Sequence, residues 1–349
     1  MNTSAQDPVT RLLSAPHASQ RAGGLGFVGP DVPVDLLLAS GRSFGHLPWM
    51  VDAPTPWADQ WLESGFPGWA RSILEQWHEG AFDALHAVVF SRSDDASQRL
   101  FYYVRELQQR ELLRGPTPMI LDLALIPRES SVAHCVGAIQ SLARALQIDD
   151  AALRAGIARA DALRLALRDL QQHRQSGVAY ERIARAALWS DATAWIGEVK
   201  PPSSTATQRM LLAGSVPPDE RLHGAAERAG ASLIDETHVH ALGRLGMPLA
   251  EADPSPSRHV ARQLLGCASG PRAFLDRAQW IVQKAREARA TGVILWLTRE
   301  DEALAWHVPA MRAALDAASL PVLVLAAASW RADDGALDRI AAFCQGRAA

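Results

Sequence analysis

Three short polar stretches of this chain stand where chemistry could be done. Ser91-Arg92-Ser93-Asp94-Asp95 closes the apolar run Val88-Val89-Phe90 and is followed at once by a helical pattern from Gln98 to Leu113. Gly214-Ser215-Val216-Pro217-Pro218-Asp219 and Thr298-Arg299-Glu300-Asp301-Glu302 hold the same place after two later apolar runs. A strand that hands over to a helix sets such residues beside unpaired backbone N–H groups and the positive end of a helix dipole, where a phosphate or carboxylate can be held. Ser91, Arg92, Ser93, Gly214, Ser215 and Arg299 are therefore the candidate substrate-binding residues, the two arginines as bidentate partners for an anion. Ser93, Asp94 and Asp95 are the catalytic candidates, with helix capping as the alternative use of the same side chains. The acids after Leu297 divide in the same way, between dipole complement and acid/base work.

Other chemistries find less support. Asp235-Glu236-Thr237-His238-Val239-His240 sets two acids beside a His-x-His pair but has no third ligand at a recognisable spacing, so no metal site is assigned. The loop at 214–219 has neither a G-x-G-x-x-G nor a Walker pattern, and no nucleophile-elbow sequence occurs, which leaves nucleotide specificity and hydrolase chemistry without support. Cys135, Cys267 and Cys344 show none of the close spacings of zinc or ferredoxin-type sites and read as small buried apolar residues.

The elements that must position these stretches follow from periodicity. Residues 1–22 are polar and aperiodic and read as a loose arm. Pro33 to Ser40 reads as a short helix stopped by Gly41, Ser43 to Pro48 as a first strand, and Pro56 to Glu79 as helix interrupted near Gly65, Pro67 and Gly68. Strand 86–91, helix 96–113 and strand 118–123 complete an α/β lobe over 23–130. From Ser131 apolar residues recur at helical spacing through Leu170 and on towards Trp195, giving a helical connector and linker over 131–204 that ends in Lys200-Pro201-Pro202-Ser203-Ser204-Thr205. The α/β rhythm then restarts over 205–349, with strands at 208–213, 232–235, 292–297 and 321–326 and helices at 220–229, 257–266, 271–290, 303–318 and 334–344. The expected fold is α/β: two doubly wound, Rossmann- or flavodoxin-like parallel-sheet lobes joined by a helical connector.

Bulk properties narrow the function classes. A formal net charge of -3 gives no electrostatic case for nucleic acid or an anionic membrane surface. No long apolar run occurs, and MNTSAQDPVTRLL has neither a basic nor an apolar leader segment, so the expectation is a cytoplasmic protein without a membrane anchor. Trp49, Trp57, Trp61, Trp69 and Trp77 crowd one short segment. Core packing is their expected use, with a subunit interface as the alternative.

The ordered set of segments resembles a known family. Gly29-Pro30-Asp31-Val32-Pro33-Val34-Asp35-Leu36-Leu37-Leu38-Ala39-Ser40-Gly41, the strand entering Ser91-Arg92-Ser93-Asp94, Leu211-Leu212-Ala213-Gly214-Ser215 with Pro217-Pro218, Glu227-Arg228-Ala229-Gly230-Ala231, and Thr291-Gly292-Val293-Ile294 look like the 2-hydroxyacyl-CoA dehydratase family, whose plan the benzoyl-CoA reductase subunits share. The similarity runs from about residue 22 through nearly the whole chain. It implies a two-lobed subunit that pairs with a homologous subunit. A typical member holds a 4Fe-4S cluster through three cysteines, and the active one binds a CoA thioester next to it. An ATP-dependent activator protein supplies one electron, and a ketyl radical expels the 2-hydroxyl group.

This sequence departs from that pattern at the ligands. Where the resemblance implies a Cys-Asp pair after the strand, it reads Ser93-Asp94, and a serine hydroxyl is a poor substitute for a thiolate on iron. A late cysteine is expected after the Gly-Val-Ile strand, but residues 298–305 contain none. Cys135 falls in the general region of the middle ligand. The expectation is a subunit or paralogue that binds no cofactor itself, with a 4Fe-4S cluster in a homologous partner, contributing to the CoA-thioester crevice or to assembly. If an enzyme, it is a lyase subunit not catalytic alone. Three other readings stay open: a non-enzymatic acyl-CoA or anion-binding regulatory protein on the same fold, pairing with itself or not at all; a benzoyl-CoA reductase-type subunit; and cluster-free acid/base chemistry on a thioester.

Overall fold

The computed structural model describes residues 7–19, 22–173, 176–199, 206–236, 246, 249, 251, 253–267 and 272–346. The linker at 200–205 and the two histidines of the Asp235 to His240 stretch lie outside the described residues.

The apolar runs build two sheets of the same design. β1 (Leu25–Val28), β2 (Phe44–His46), β3 (Ala87–Ser91) and β4 (Thr117–Leu121) stand in the order β2-β1-β3-β4, every neighbouring pair parallel. β5 (Gln208–Gly214), β6 (Ala231–Glu236), β7 (Gly292–Thr298) and β8 (Val322–Ala328) repeat it as β6-β5-β7-β8, again all parallel. The chain thus adopts the expected α/β class with two parallel-sheet lobes. The central strands are mostly apolar, with polar residues at their ends, because helices cover both faces. In β3, Val88 and Phe90 enter one core with Trp77 and Leu100, and Ala87 and Val89 enter the other with Leu36, Cys135 and Ile139.

The helices follow the chain. α1 (Pro8–Ser14) precedes β1. α2 (Val34–Ala39), α3 (Ala58–Trp61), α4 (Gly68–His78) and α5 (Asp95–Gln109) cross over in the first lobe, and α6 (Glu129–Ala145), α7 (Asp150–His173) and α8 (Gly177–Trp189) join the sheets. α9 (Arg221–Arg228), α10 (Pro256–Cys267), α11 (Arg277–Glu287), α12 (Glu302–Ala305), α13 (Val308–Ala317) and α14 (Ala336–Gln345) belong to the second half.

Four local expectations need correction. The stretch read as a loose arm contains α1, capped by Asp7, with Val9 buried against the α7 and α8 side chains Leu163 and Ile183. One helical turn of apolar spacing, Val9, Leu12 and Leu13, is too short a signal to read by periodicity. The first strand is β1 and precedes the predicted one. Its Leu-Gly-Phe-Val sits among glycines, which carry no strand preference. The helix expected at 303–318 is two, α12 and α13, separated at Trp306 and His307, with Pro309 in the first turn of α13. Finally, α10 follows β6 in the chain but packs on α6 and α7, so Val260, Ala261 and Leu264 complete the first lobe's core.

The tryptophans serve mainly as core. Trp49 and Trp77 are buried, and Trp57, Trp61 and Trp69 are half-buried against the first lobe's cores. Trp49 also joins the lobes: its Nε1 donates to the Pro218 carbonyl at 2.9 Å, and Trp330 meets its ring edge-on at 6.3 Å between centroids.

Candidate functional site

Strand order reverses between β1 and β3 and again between β5 and β7, and a parallel sheet opens its crevice at the carboxyl ends of such a pair. The two crevices face one another across a cavity of about 620 Å³ between the lobes. Asp94 and Asp95 line it from the start of α5, Gly214 and Ser215 from the end of β5, and Arg299, Glu300 and Asp301 from the end of β7. Trp69 and Trp330 supply apolar wall, and Arg272 closes one side.

Five of the eight candidate residues therefore meet at one cavity: Asp94, Asp95, Gly214, Ser215 and Arg299. The other three do not line it. Ser91 and Ser93 are wholly buried beneath it, their hydroxyls 2.6 Å apart, and the Ser93 N–H donates to Ser91 Oγ at 3.1 Å. Arg92 turns outward and pairs with Asp122 at 2.5 Å. An extended residue at a strand end points opposite to its neighbours, so the three serine and arginine positions cannot all face the same crevice.

Local geometry fixes the acids. Asp94 caps α5, its Oδ1 accepting from the Ser97 N–H at 2.7 Å. Burial pushes its carboxyl up to about 6, and Asp301 and Asp95 add to the shift by like charge. Asp301 accepts from the Ser215 hydroxyl at 2.7 Å, while Ser215 Oγ accepts from the Thr298 N–H at 3.1 Å, so this pair ties β5 to β7. Burial also raises the Asp301 and Glu300 carboxyls above their usual range. Gly214 has a φ of 112°, and a side chain there would strike the Trp296 carbonyl oxygen at 2.1 Å. Only glycine lets the chain leave β5 this way.

Two participants escaped sequence reasoning. Asp31 follows β1 with a φ of 63°. Burial pushes its carboxyl up to about 6, the nearby Ser93 side chain offsetting this only in part, and Oδ2 has no hydrogen-bond partner among the described residues. The Asp-Val-Pro run around it reads as an ordinary turn, and its role appears only when β1 and β3 become neighbours. Arg272 reaches from the second half to the first lobe, pairing with Asp95 and donating to the Arg92 carbonyl at 2.7 Å and to Gln98 Oε1 at 3.1 Å.

The cysteines do not fit a cluster at this place. None lines the cavity. Cys135 is buried in the first lobe's core, where it hydrogen-bonds the backbone of Ala124, and Cys344 is buried in the second lobe's core, where burial pushes its thiol up to about 11. Cys267 ends α10. Iron binds thiolates that converge, whereas these thiols are dispersed and two are held protonated. Among the described residues, no three His, Cys, Asp or Glu side chains are grouped to hold a metal ion, and no helix is long and apolar enough to cross a membrane.

No curated protein matches the sequence. A family model described as 2-hydroxyglutaryl-CoA dehydratase, D-component, matches residues 31–345. That span takes in the second sheet, β2, β3 and β4 of the first, the connector and every residue of the cavity wall, and overlaps the ordered segments from Asp31 to Ile294. The chain belongs to the 2-hydroxyglutaryl-CoA dehydratase D-component family.

Proposed function

We propose that this chain is a cluster-free subunit of a 2-hydroxyacyl-CoA dehydratase-type enzyme. It pairs with a homologous subunit that carries the 4Fe-4S cluster, and its interlobe cavity receives a CoA thioester. The observation that carries the reading is the residue after β3. Ser93 sits under the cavity floor, its hydroxyl engaged with Ser91 and the Pro30 carbonyl, at the place the resemblance assigns to a cluster thiolate. A hydroxyl so enclosed is a weak iron ligand, and no thiol stands nearby on the cavity wall to complete a set. The family description, a component of a dehydratase, supports an assembly with other parts. The cleft itself supports a small-molecule ligand, since its Arg299 guanidinium has no hydrogen bond or ion pair to a described residue and lines the wall. The substrate is a lyase substrate of the 2-hydroxyacyl thioester class, and the electron comes through an ATP-dependent activator acting on the partner.

The test is co-purification with metal analysis. The chain is expressed anaerobically alone and together with a homologue bearing cysteine at the position matching Ser93. The expected result is a heterodimer in which iron and acid-labile sulfide track the homologue. A stoichiometric 4Fe-4S cluster on this chain alone overturns the proposal, and so does a stable homodimer that ignores the homologue.

A further inference from the structure

We infer that the interlobe cavity performs redox-free proton transfer, with Asp94 taking the hydrogen from the carbon next to the thioester carbonyl of the bound ligand. The inference rests on the thioester reading of the cavity but needs neither a cluster nor a partner subunit.

Position carries the argument. Asp94 is held rigidly, because the Ser97 N–H engages Oδ1 at 2.7 Å at the start of a helix of 15 residues. Its Oδ2 has no hydrogen-bond partner among the described residues and is not enclosed by protein, and the residue lines the cavity. A carboxylate with one oxygen fixed and the other open to a ligand has the geometry of a general base. The wall around it is partly apolar, with Trp69, Trp330 and Leu304 on the same cavity. Exclusion of water strengthens whatever charge interactions form there.

The charges facing Asp94 suit the step. Asp95 and Asp301 are its acidic neighbours and Arg272 its nearest opposing cation, while Arg99, Arg299, Glu300 and Glu302 complete the wall. Arg272 is engaged by Asp95, and Arg99 by Glu63. The Arg299 guanidinium makes no hydrogen bond or ion pair to a described residue, and its charge is felt by Glu300 beside it. It is placed to meet negative charge that develops on a ligand oxygen. Burial sets the Asp94 carboxyl at about 6, so near neutral pH most of it is ionised while it remains a stronger base than an exposed carboxylate.

The step balances without an oxidant or reductant. The Asp94 oxygen takes the proton as the C–H bond breaks. The electron pair of that bond forms a carbon–carbon double bond, and the carbonyl π pair moves onto the thioester oxygen, facing Arg299. Reversal returns a proton from Asp94 to the same carbon. In deuterated water the returned nucleus is deuterium, and a ligand with a stereocentre at that carbon is epimerised.

The experiment incubates the full chain in deuterated buffer with acetyl-CoA and with a 2-hydroxyacyl-CoA, reading deuterium by mass spectrometry and thioester binding by calorimetry. Exchange is expected at least ~10-fold above the protein-free rate, rising with pH through about 6. Asp94→Asn, which preserves the helix cap, is expected to lose on the order of 100-fold in exchange while still binding the thioester. Asp94→Glu is expected to recover part of the rate. Binding without exchange at any pH overturns the inference and leaves the thioester reading standing. Absence of binding by both thioesters overturns both. Exchange that persists in Asp94→Asn overturns the assignment of the base.

Discussion

Arg164 donates to both carboxylate oxygens of Asp35, at 3.0 and 2.6 Å, in an ion pair shut away from water between α7 and α2. The arginine also engages the partly exposed Asp161 one turn back, at 2.9 Å, so a single guanidinium serves two carboxylates. α7 comes close to α2 at this level because Gly156 has no side chain: a Cβ there would lie 2.3 Å from the Asp35 carbonyl oxygen. The connector is thereby fastened to the first lobe by chemistry as well as by apolar contact.

Removing one member of this pair is expected to be costly. Asp35→Asn or Arg164→Met leaves a buried charge with incomplete compensation, and each is expected to lower unfolding free energy by about 3 to 5 kcal/mol. Combining Arg164→Met with Asp35→Leu is expected to cost less than the sum of the single changes, since no charge is then stranded. Urea denaturation followed by far-ultraviolet dichroism reads all the variants. Additive losses would mean that the two groups do not act as a pair.

Gly68 and Trp330 pack closely where the lobes meet. A Cβ added to Gly68 would stand 2.3 Å from Trp330 Cε3 and 2.9 Å from Cδ2. Gly68→Ala is therefore expected to push the indole out of place and cost about 1 to 3 kcal/mol. Trp330→Ala, which opens room for the new methyl group, is expected to absorb most of that penalty in the double variant. Tryptophan emission and the denaturation midpoint measure the effect, and an unchanged midpoint in Gly68→Ala would show that the lobes do not press together here.

Asp31 gives the protein a defined pH response. Its carboxyl is raised from 3.8 to about 6 by burial, only partly offset by the Ser93 side chain nearby. The folded state then holds the proton more tightly than the unfolded state does. The stability this gives is complete below the unfolded value and is lost as pH rises through about 6. Asp31→Asn escapes that loss, and asparagine tolerates the positive φ of 63°. The variant is expected to be more stable than the parent by about 1 to 3 kcal/mol at roughly pH 8, with the difference shrinking towards pH 4. Thermal unfolding across that range is the measurement, and equal gain at both ends would assign the effect to something other than titration.

The sheets were legible where each strand announced itself. β3, β5 and β7 are apolar runs bounded by polar turns, and the helix after each begins within one residue of where the pattern marked it. β1 was not legible, because four residues flanked by glycine carry too little strand preference, although it is a central strand and delivers Asp31. Relations across the lobes were hidden altogether: Asp301 reads in sequence as one acid in a helix start, and only the meeting of β5 with β7 pairs it with Ser215. Asp94 was read both as cap and as cavity residue, and it is both, one oxygen for each use. Ser93 was placed correctly at a strand end but not at the depth it occupies, since a one-residue step along an extended chain reverses the direction of the side chain.

Ser93 offers the sharpest comparison with cluster-bearing relatives of this family. In a Cys267→Ser background, Ser93→Cys introduces a thiol at the position where the resemblance implies an iron ligand. The site is wholly buried, and the serine hydroxyl lies 2.6 Å from Ser91 Oγ. The exchange replaces a good hydrogen bond by a weak one and adds volume, so a loss of about 1 to 2 kcal/mol is expected. Because the thiol lies under the cavity floor, its reaction with an aromatic disulfide is expected to be on the order of 100-fold slower than that of a free thiol, rising only on denaturation. Iron reconstitution is expected to leave the variant without stoichiometric metal, since no second and third thiol line the same cavity. Fast reaction in the native state would place position 93 at the cavity surface, and stoichiometric iron on the variant would show that this single hydroxyl separates the chain from its cluster-bearing relatives.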